Sequence, residues 1–244
     1  MITVMLPCRN NINYLRESID SILTQSYQDF ELIIVDDFSD EPVWDILDTI
    51  KDERVRKYKN DKQIGLPQTL NKIIDLSKGD IFCRQDNDDI SHKDKLKLQL
   101  ELLQQGNDFI ACKYQKINEN GNLINSTWID NANKATPEFI KKNITKESYI
   151  VGPAVMWSRK VFNTIGYFDP LMKIASDYNF FVRILKYFNV RIVNKVLYYH
   201  RKHKDSHRKF DLKYRQEDNI KTDYYHLALQ RAETNTIIKD KETK

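Results

Sequence analysis

The segment IFCRQDNDD at 81–89 ends an apolar run in three carboxylates within four positions, Asp86, Asp88 and Asp89. Like charges placed so closely repel, and a hard cation among them relieves the repulsion, because Mg²⁺ and Mn²⁺ take carboxylate oxygens as ligands. In an extended segment the side chains at i and i+2 point the same way, so Asp86 and Asp88 are expected to face one cation together. Substrate phosphates and water would complete its shell. A lone D-x-D is also a frequent accident of solvated turns, so its weight depends on what stands beside it. A second acidic pair, Asp36 and Asp37, closes FELIIVDD, and Arg9 with Asn10 follows the run ITVMLPC. Neither a G-x-G-x-x-G nor a Walker A pattern follows any of these runs, which argues against Rossmann dehydrogenases and P-loop enzymes.

The elements that must position these residues alternate between strand and helix. ITVMLP, FELIIVDD, RVRKYKN and IFCRQD read as four strands. Between them, Ile12, Leu15, Ile19, Ile22 and Leu23 recur at helical spacing, as do Val43, Ile46, Leu47 and Ile50 after Asp40 and Pro42, and then Leu66, Leu70, Ile73 and Ile74. Gly79 is expected to cap the third helix in the left-handed region, and Ser91 with Asp94 reads as a capping box opening HKDKLKLQLELLQQ. Strands buried on both faces, alternating with amphipathic helices, predict a parallel α/β sheet. Ligands of such sheets bind beyond the carboxyl ends of the strands, where all of these charged residues fall.

After Gly106 the rhythm turns antiparallel. DFIACKYQKI and LINSTWI flank Asn120-Gly121, a hairpin signal; Thr136-Pro137 starts a short helix; AVMWS is a strand; SDYNFFVRILKYF is a helix with Ser176 as its expected N-cap; and RIVNKVLYYH is the last strand. A polar, Tyr- and Lys-bearing helical tail is expected from Asp211.

Composition fits a soluble globular chain: 244 residues, 41% hydrophobic, 30% charged, with six glycines and six prolines leaving little room for flexible linkers. Cys8, Cys83 and Cys112 are odd in number and sit in apolar runs, so reduced buried thiols and a cytoplasmic setting are expected. No apolar run approaches the ~18 residues of a membrane span. The net charge of +4 hides a basic segment, RKHKDSHRKFDLKYR at 201–215, which suits phosphates or an anionic membrane surface as well as a plain solvated face. No nucleic-acid partner is expected.

Four stretches, VMLPCRNNINYLRESIDSILTQSYQDFELIIVDDFSD, NDKQIGLPQTLNKIIDLSKGDIFCRQDNDDISHKDKLKLQLELL, VGPAVMWSRKVFNTIGYFDPLMKIASDYNFFVRI and VLYYHRKHKDS, resemble in order and spacing the inverting glycosyltransferases of family 2. The resemblance runs from about residue 3 to residue 206 and implies the GT-A nucleotide-sugar transferase fold. That fold has a mostly parallel central sheet flanked by helices, with an antiparallel acceptor-side portion. The corresponding division is a transferase domain at 1–209, with nucleotide-binding (1–106) and acceptor (107–209) halves, and a helical tail at 210–244.

By the same resemblance, Asp37 would read the nucleotide base, with Pro7 and Arg9 walling the nucleoside pocket, while Asp36 is left to cap its turn. Asp86 would contact ribose or metal-bound water, Asp88 would ligate Mn²⁺ or Mg²⁺ at the diphosphate, and His203 would close over the metal. Asp177 matches the general base; the family usually has Glu-Asp where this chain has Ser176-Asp177, so one acidic contact to the acceptor is missing. Asp89 and Asn71 fit supporting roles, and Gly65 a turn. Among the aromatics, Trp128 and Tyr149 are candidates to stack on an acceptor sugar, whereas Trp157 fits the core better. The implied reaction moves a hexose from a donor, expected to be UDP-linked, to a saccharide acceptor, expected to be lipid-linked and part of a surface polysaccharide such as O-antigen or capsule. The basic segment would then meet the inner membrane face. Two alternatives stand beside this: a nucleotidyltransferase, which would normally carry a basic glycine-rich loop after the first strand, and a non-catalytic saccharide-binding protein on a degenerate transferase fold.

Overall fold

The computed structural model describes residues 1–204 and 227–234, apart from the side chains of Thr127 and Trp128. Its first half follows the expected alternation: β1 (Ile2–Cys8), α1 (Ile12–Leu23), β2 (Phe30–Asp36), α2 (Val43–Leu47), β3 (Val55–Lys59), α3 (Leu66–Leu76), β4 (Ile81–Arg84), a short β5 (Ile90–Ser91) and α4 (Lys95–Leu103). The second half adds β6 (Phe109–Ile117), β7 (Leu123–Ile124), α5 (Thr127–Lys134), α6 (Pro137–Asn143), β8 (Val155–Ser158), α7 (Arg159–Ile165), α8 (Ser176–Tyr187) and β9 (Val190–Arg201).

One sheet runs in the order β3-β2-β1-β4-β8-β6-β9-β5, with β7 on β6. β3, β2, β1 and β4 are parallel; β8 is antiparallel to both neighbours, β9 is parallel to β6, and β5 is antiparallel to β9. Alternation along β1 divides the core. Ile2, Val4, Leu6 and Cys8 face α1, α2 and α4, while Met5 faces the layer of α3, α7 and α8. β4 keeps this register, pairing Val4 with Cys83 and Met5 with Arg84, so Arg84 arrives on the α8 side. Trp157 sits in that layer against Phe82, Phe162, Phe168 and Phe180, a core residue as expected. The three cysteines are free and buried.

Several local expectations are corrected. Gly79 has no positive φ; a Cβ there would lie 2.7 Å from Thr3 Oγ1 and 2.8 Å from the Met1 carbonyl, so close approach, not a left-handed cap, demands glycine. Ser91 belongs to β5 and its hydroxyl donates to Gln85, so it caps nothing; Asp94 precedes α4. Ala175, with φ 54°, and not Ser176, is the residue before α8. LINSTWI stops being strand after Ile124, because Thr127 opens α5 and carries Trp128 into a helix. The basic segment beyond Lys204 lies outside the described residues, as does the tail apart from the helical stretch 227–234.

Candidate functional site

Bending of the chain after β4 builds the site. The Gln85 side-chain amide donates to Ser18 Oγ and to the carbonyls of Asp86 and Asp89, and Ser18 donates to the Asp86 carbonyl, so the strand stops at Arg84 and turns at 87–88. The extended D-x-D expected from alternation is therefore absent, and Asp86 and Asp88 meet different partners. Asp86 takes Arg84 Nε at 2.7 Å on one oxygen and Arg84 Nη2 at 3.1 Å on the other. Loss of hydration pushes its carboxyl up to about 6, with the charges of Asp89 and Asp88 adding to the rise and Arg84 opposing it.

Asp88 Oδ2 lies 2.9 Å from His203 Nε2, and the His203 ring packs 4.9 Å from Tyr14. What brings His203 there is Asp89. Its fully buried carboxylate accepts from the Tyr198 hydroxyl (2.6 Å) and the Arg201 backbone N–H (2.6 Å) and pairs with His200 Nδ1 (3.1 Å), fastening the end of β9 to the acidic turn. Burial opposes ionisation of Asp89, but His200, Tyr198 and Arg201 outweigh it and hold the carboxyl below its ordinary value. Burial likewise opposes the His200 imidazolium, yet Asp89 raises it to about 9.

At the end of β2, Asp36 accepts from Ser39 N, Ser39 Oγ and the Trp44 indole, a turn-capping role. Asp37, 5% exposed, accepts from Asn60 Nδ2 and from the backbone N–H groups of Ile64 and Gly65. A carboxylate has about four acceptor positions, so one remains for a further donor. Gly65, with φ 87°, allows that turn. Pro7 is buried in β1 opposite Val35, and Arg9 reaches Asp40 at 3.3 Å while its buried Nε has no hydrogen-bond partner among the described residues. Asn71 faces elsewhere, exchanging two hydrogen bonds with the Phe168 backbone.

Asp177 lies in the first turn of α8, one oxygen accepting from Tyr178 N. Its other oxygen lies 2.9 Å from the point that a Cβ on Gly152 would occupy, and Arg84 Nη1 is 2.6 Å from that point. Asp177 and Asp86 thus flank one guanidinium, 7% exposed for the whole residue, that the motifs did not single out. Its signal was present: a cation inside an otherwise apolar strand, one register position before the acidic turn. Four non-glycine residues with positive φ among the described residues, Asn10, Asn11, Phe38 and Ala175, all lie in loops at this edge, following β1 and β2 or preceding α8.

Metal capacity among these residues is narrow. Among the described residues no group of three or more His, Cys, Asp or Glu side chains converges as a metal cage. Asp88 Oδ2 and His203 Nε2 are hydrogen-bonded to each other, and a carboxylate oxygen beside an imidazole nitrogen is a donor pair that suits Mn²⁺ and would leave its remaining positions to a ligand. A separate open groove of about 480 Å³ is lined by Asn131, Lys134, Phe139, Glu147 and Tyr149, with the last aromatic edge-to-face on Phe139 at 5.3 Å.

Residues 3–166 match the family model described as glycosyl transferase family 2. The chain belongs to that family. Among its relatives is the O-antigen biosynthesis glycosyltransferase WbnJ of Escherichia coli, 32% identical over 193 residues that cover 76% of this chain and 72% of the relative. An uncharacterised glycosyltransferase of Rickettsia felis is 33% identical over 126 residues, 51% of this chain, and the match spans only 21% of that much longer protein. Solved structures extend the likeness to the fold. S. aureus TarS in complex with UDP superposes with a TM-score of 0.67 at 20% identity, covering 82% of this chain and 60% of that one. The mannosyltransferase PcManGT of Pyrobaculum calidifontis, in complex with GDP-Man and Mn²⁺, gives 0.68 at 18% identity over 88% of this chain and 61% of its own. The fold of this family 2 transferase is GT-A.

Proposed function

We propose that this family 2 transferase moves a hexose from a nucleotide-sugar donor, UDP-linked, to a saccharide acceptor with inversion at the anomeric carbon. The observation that carries this is the arrangement at the strand ends, where Asp86 and Asp177 lie on either side of the Arg84 guanidinium and Asp88 meets His203 on the turn after β4. Asp177, in the first turn of α8 with one oxygen not engaged by Tyr178 N, takes the proton of the acceptor hydroxyl as its oxygen attacks the anomeric carbon. The bond from that carbon to the diphosphate breaks on the opposite face, and the nucleoside diphosphate leaves. Pro7, Arg9 and Asp37 border the nucleoside, with the last open acceptor position of Asp37 free for a base N–H.

Asp88 and His203 are the residues that would hold Mn²⁺ or Mg²⁺, with Asp86 on the ribose side; such an ion, when bound, neutralises charge on the departing diphosphate. Asp89 keeps β9 in place and so keeps His203 beside Asp88. TarS with UDP and PcManGT with GDP-Man and Mn²⁺ support a nucleotide-sugar donor and a divalent ion. The likeness to an O-antigen biosynthesis glycosyltransferase supports a role in surface-polysaccharide synthesis; the proposed acceptor is a lipid-linked glycan met at the inner face of the cytoplasmic membrane. Among the described residues no helix is long and apolar enough to cross a membrane. The aromatic groove at Phe139 and Tyr149, lined in part by α5, which also carries Trp128, is the acceptor-side surface that suits pyranose faces. The transferase unit is 1–209, followed by the tail.

Calorimetric titration of UDP, GDP, CDP and dTDP, each with Mn²⁺ and with EDTA, tests this. Metal-dependent selection of one nucleotide, UDP, is expected. Binding of none would favour a non-catalytic saccharide-binding role on the same fold.

A further inference from the structure

β4 delivers one cation into the crevice between the two acidic positions. Arg84 is the last residue of the strand, and its register with Met5 turns it toward the α8 layer. A guanidinium offers five donors in one rigid plane. Nε and Nη2 go to the two oxygens of Asp86. Nη1 points the other way, into the space beside Gly152 that Asp177 Oδ2 also borders, so the cation faces that carboxylate across the gap, acting on it through charge and not through a direct ion pair.

Gly152 has no positive φ, so its position calls for space and not for backbone freedom. Any side chain there would enter the gap between Arg84 and Asp177. The backbone around the gap is fixed from below: the fully buried Lys95 ammonium donates to the Arg84 carbonyl at 3.0 Å and to the Pro153 carbonyl at 2.7 Å, tying the end of β4 to the turn that carries Gly152. A clamp, a cleared path and a tether thus meet at one point.

We propose that Arg84, with Gly152 clearing its path, is a positioning residue that holds Asp86 and Asp177 at a fixed separation, aligning the donor-side carboxylate with the acceptor-side base. This rests on the assignment of Asp177 as that base. A lysine could neutralise the same charge but is a point donor on a flexible stem and cannot hold Asp86 through two donors while keeping a third aimed across the gap at Asp177. Misplacing a reacting group by about 1 Å costs on the order of 100-fold in rate, so the device acts on turnover more than on donor binding. A merely structural cation would instead be satisfied by lysine, and its loss would lower folding stability and nucleotide affinity together.

The test compares the full chain with Arg84→Lys, Gly152→Ala and the double variant. UDP-glucose, UDP-galactose, UDP-N-acetylglucosamine and GDP-mannose are supplied with methyl glycosides in Mn²⁺, and nucleotide release gives kcat and KM separately. UDP affinity and melting are measured alongside. Each single variant is expected to melt cooperatively, to bind UDP within about threefold of the parent and to lose on the order of 100-fold in kcat, with the double variant no worse than the poorer single. Arg84→Lys turning over within about threefold of the parent, losses that multiply in the double variant, or a loss confined to KM would each overturn the proposal. Should Arg84→Lys fail to fold, Gly152→Ala carries the test alone. A parent chain that binds UDP yet releases nucleotide from no donor would remove the base assignment, and this proposal with it. Parent turnover with unaffected variants would remove only the proposal.

Discussion

At Asp88 a carboxylate oxygen meets an imidazole nitrogen, whereas at Asp177 one oxygen is committed to its own helix and the other faces the crevice. On the proposed reading, these two environments separate binding from chemistry. Asp88→Asn keeps the shape but weakens the donor pair, so Mn²⁺-dependent UDP affinity is expected to fall at least about tenfold, while affinity in EDTA stays near the parent value. Asp177→Asn is expected to leave UDP affinity in Mn²⁺ unchanged and to reduce transfer by about 10²–10⁴-fold, the range that general base catalysis supplies. Equal loss of UDP binding in both variants would contradict the division of roles. Asp37 shows why residue type alone says little: the same acidic letter stands at 36 and 37, yet Asp36 is consumed by Ser39 and Trp44, and Asp37 is held by Asn60 and two backbone N–H groups with room for one more donor.

Among the elements, the sequence was most legible where burial sets the pattern. β1 and β2 are apolar on both faces because each is sandwiched between helical layers, so their runs announce themselves; α1 and α3 show one apolar stripe for one buried face. Legibility failed where a tertiary contact overrides a local signal. Gly79 looks like a cap but is there because Thr3 and Met1 pass too close for a Cβ, and Ser91 looks like a cap but was recruited by Gln85 into β5. The D-x-D is legible as a motif but its geometry is not, since the bend after Arg84 is made by the Gln85 amide and Ser18, long-range contacts that no spacing records. His203 could be placed beside Asp88 only by resemblance, because the Asp89 tie to β9 joins residues more than a hundred positions apart.

The junction of β1, β2, β3 and α3 makes its own pH prediction. Glu31 is buried; that burial pushes its carboxyl up, but hydrogen bonds from Lys78 N, Thr3 Oγ1, Arg56 and Gly79 N outweigh it, and the net shift is downward. A carboxyl lower in the folded state than in the unfolded chain contributes stability that is present above the unfolded value, about 4.3 for glutamate, and lost as the pH falls through the folded one. Glu31→Gln is therefore expected to melt lower than the parent at pH 7 and to lose less stability between neutral and acid pH. Parallel melting curves against pH for the two proteins would sink the assignment.

Across the whole molecule, the described C-terminal stretch closes a circuit back to the site. Helix 227–234 sets Ala228 and Ala232 into the α8 layer, its Ala228 carbonyl accepts from Asn179, and Arg231 grips the buried Asp169 through Nε at 2.6 Å and Nη2 at 3.0 Å. Asp169 follows Phe168, which Asn71 of α3 holds from the other side. The loop before α8 is thus fastened to α3 by Asn71 and to the C-terminal helix by Arg231, and α8 carries Asp177. Removing the arginine leaves a buried carboxylate short of its bidentate partner, at a cost of about 1.5–3 kcal/mol for a hydrogen bond to a charged group. In a chain of this size each kcal/mol lowers the melting temperature by about 2–4 °C, so Arg231→Ala is expected to melt several degrees lower. Because Arg231 supports α8 and not the proposed nucleotide pocket, kcat is expected to fall with it while UDP affinity is retained. A variant that melts lower with kcat intact would show that the C-terminal helix stabilises the fold without positioning Asp177.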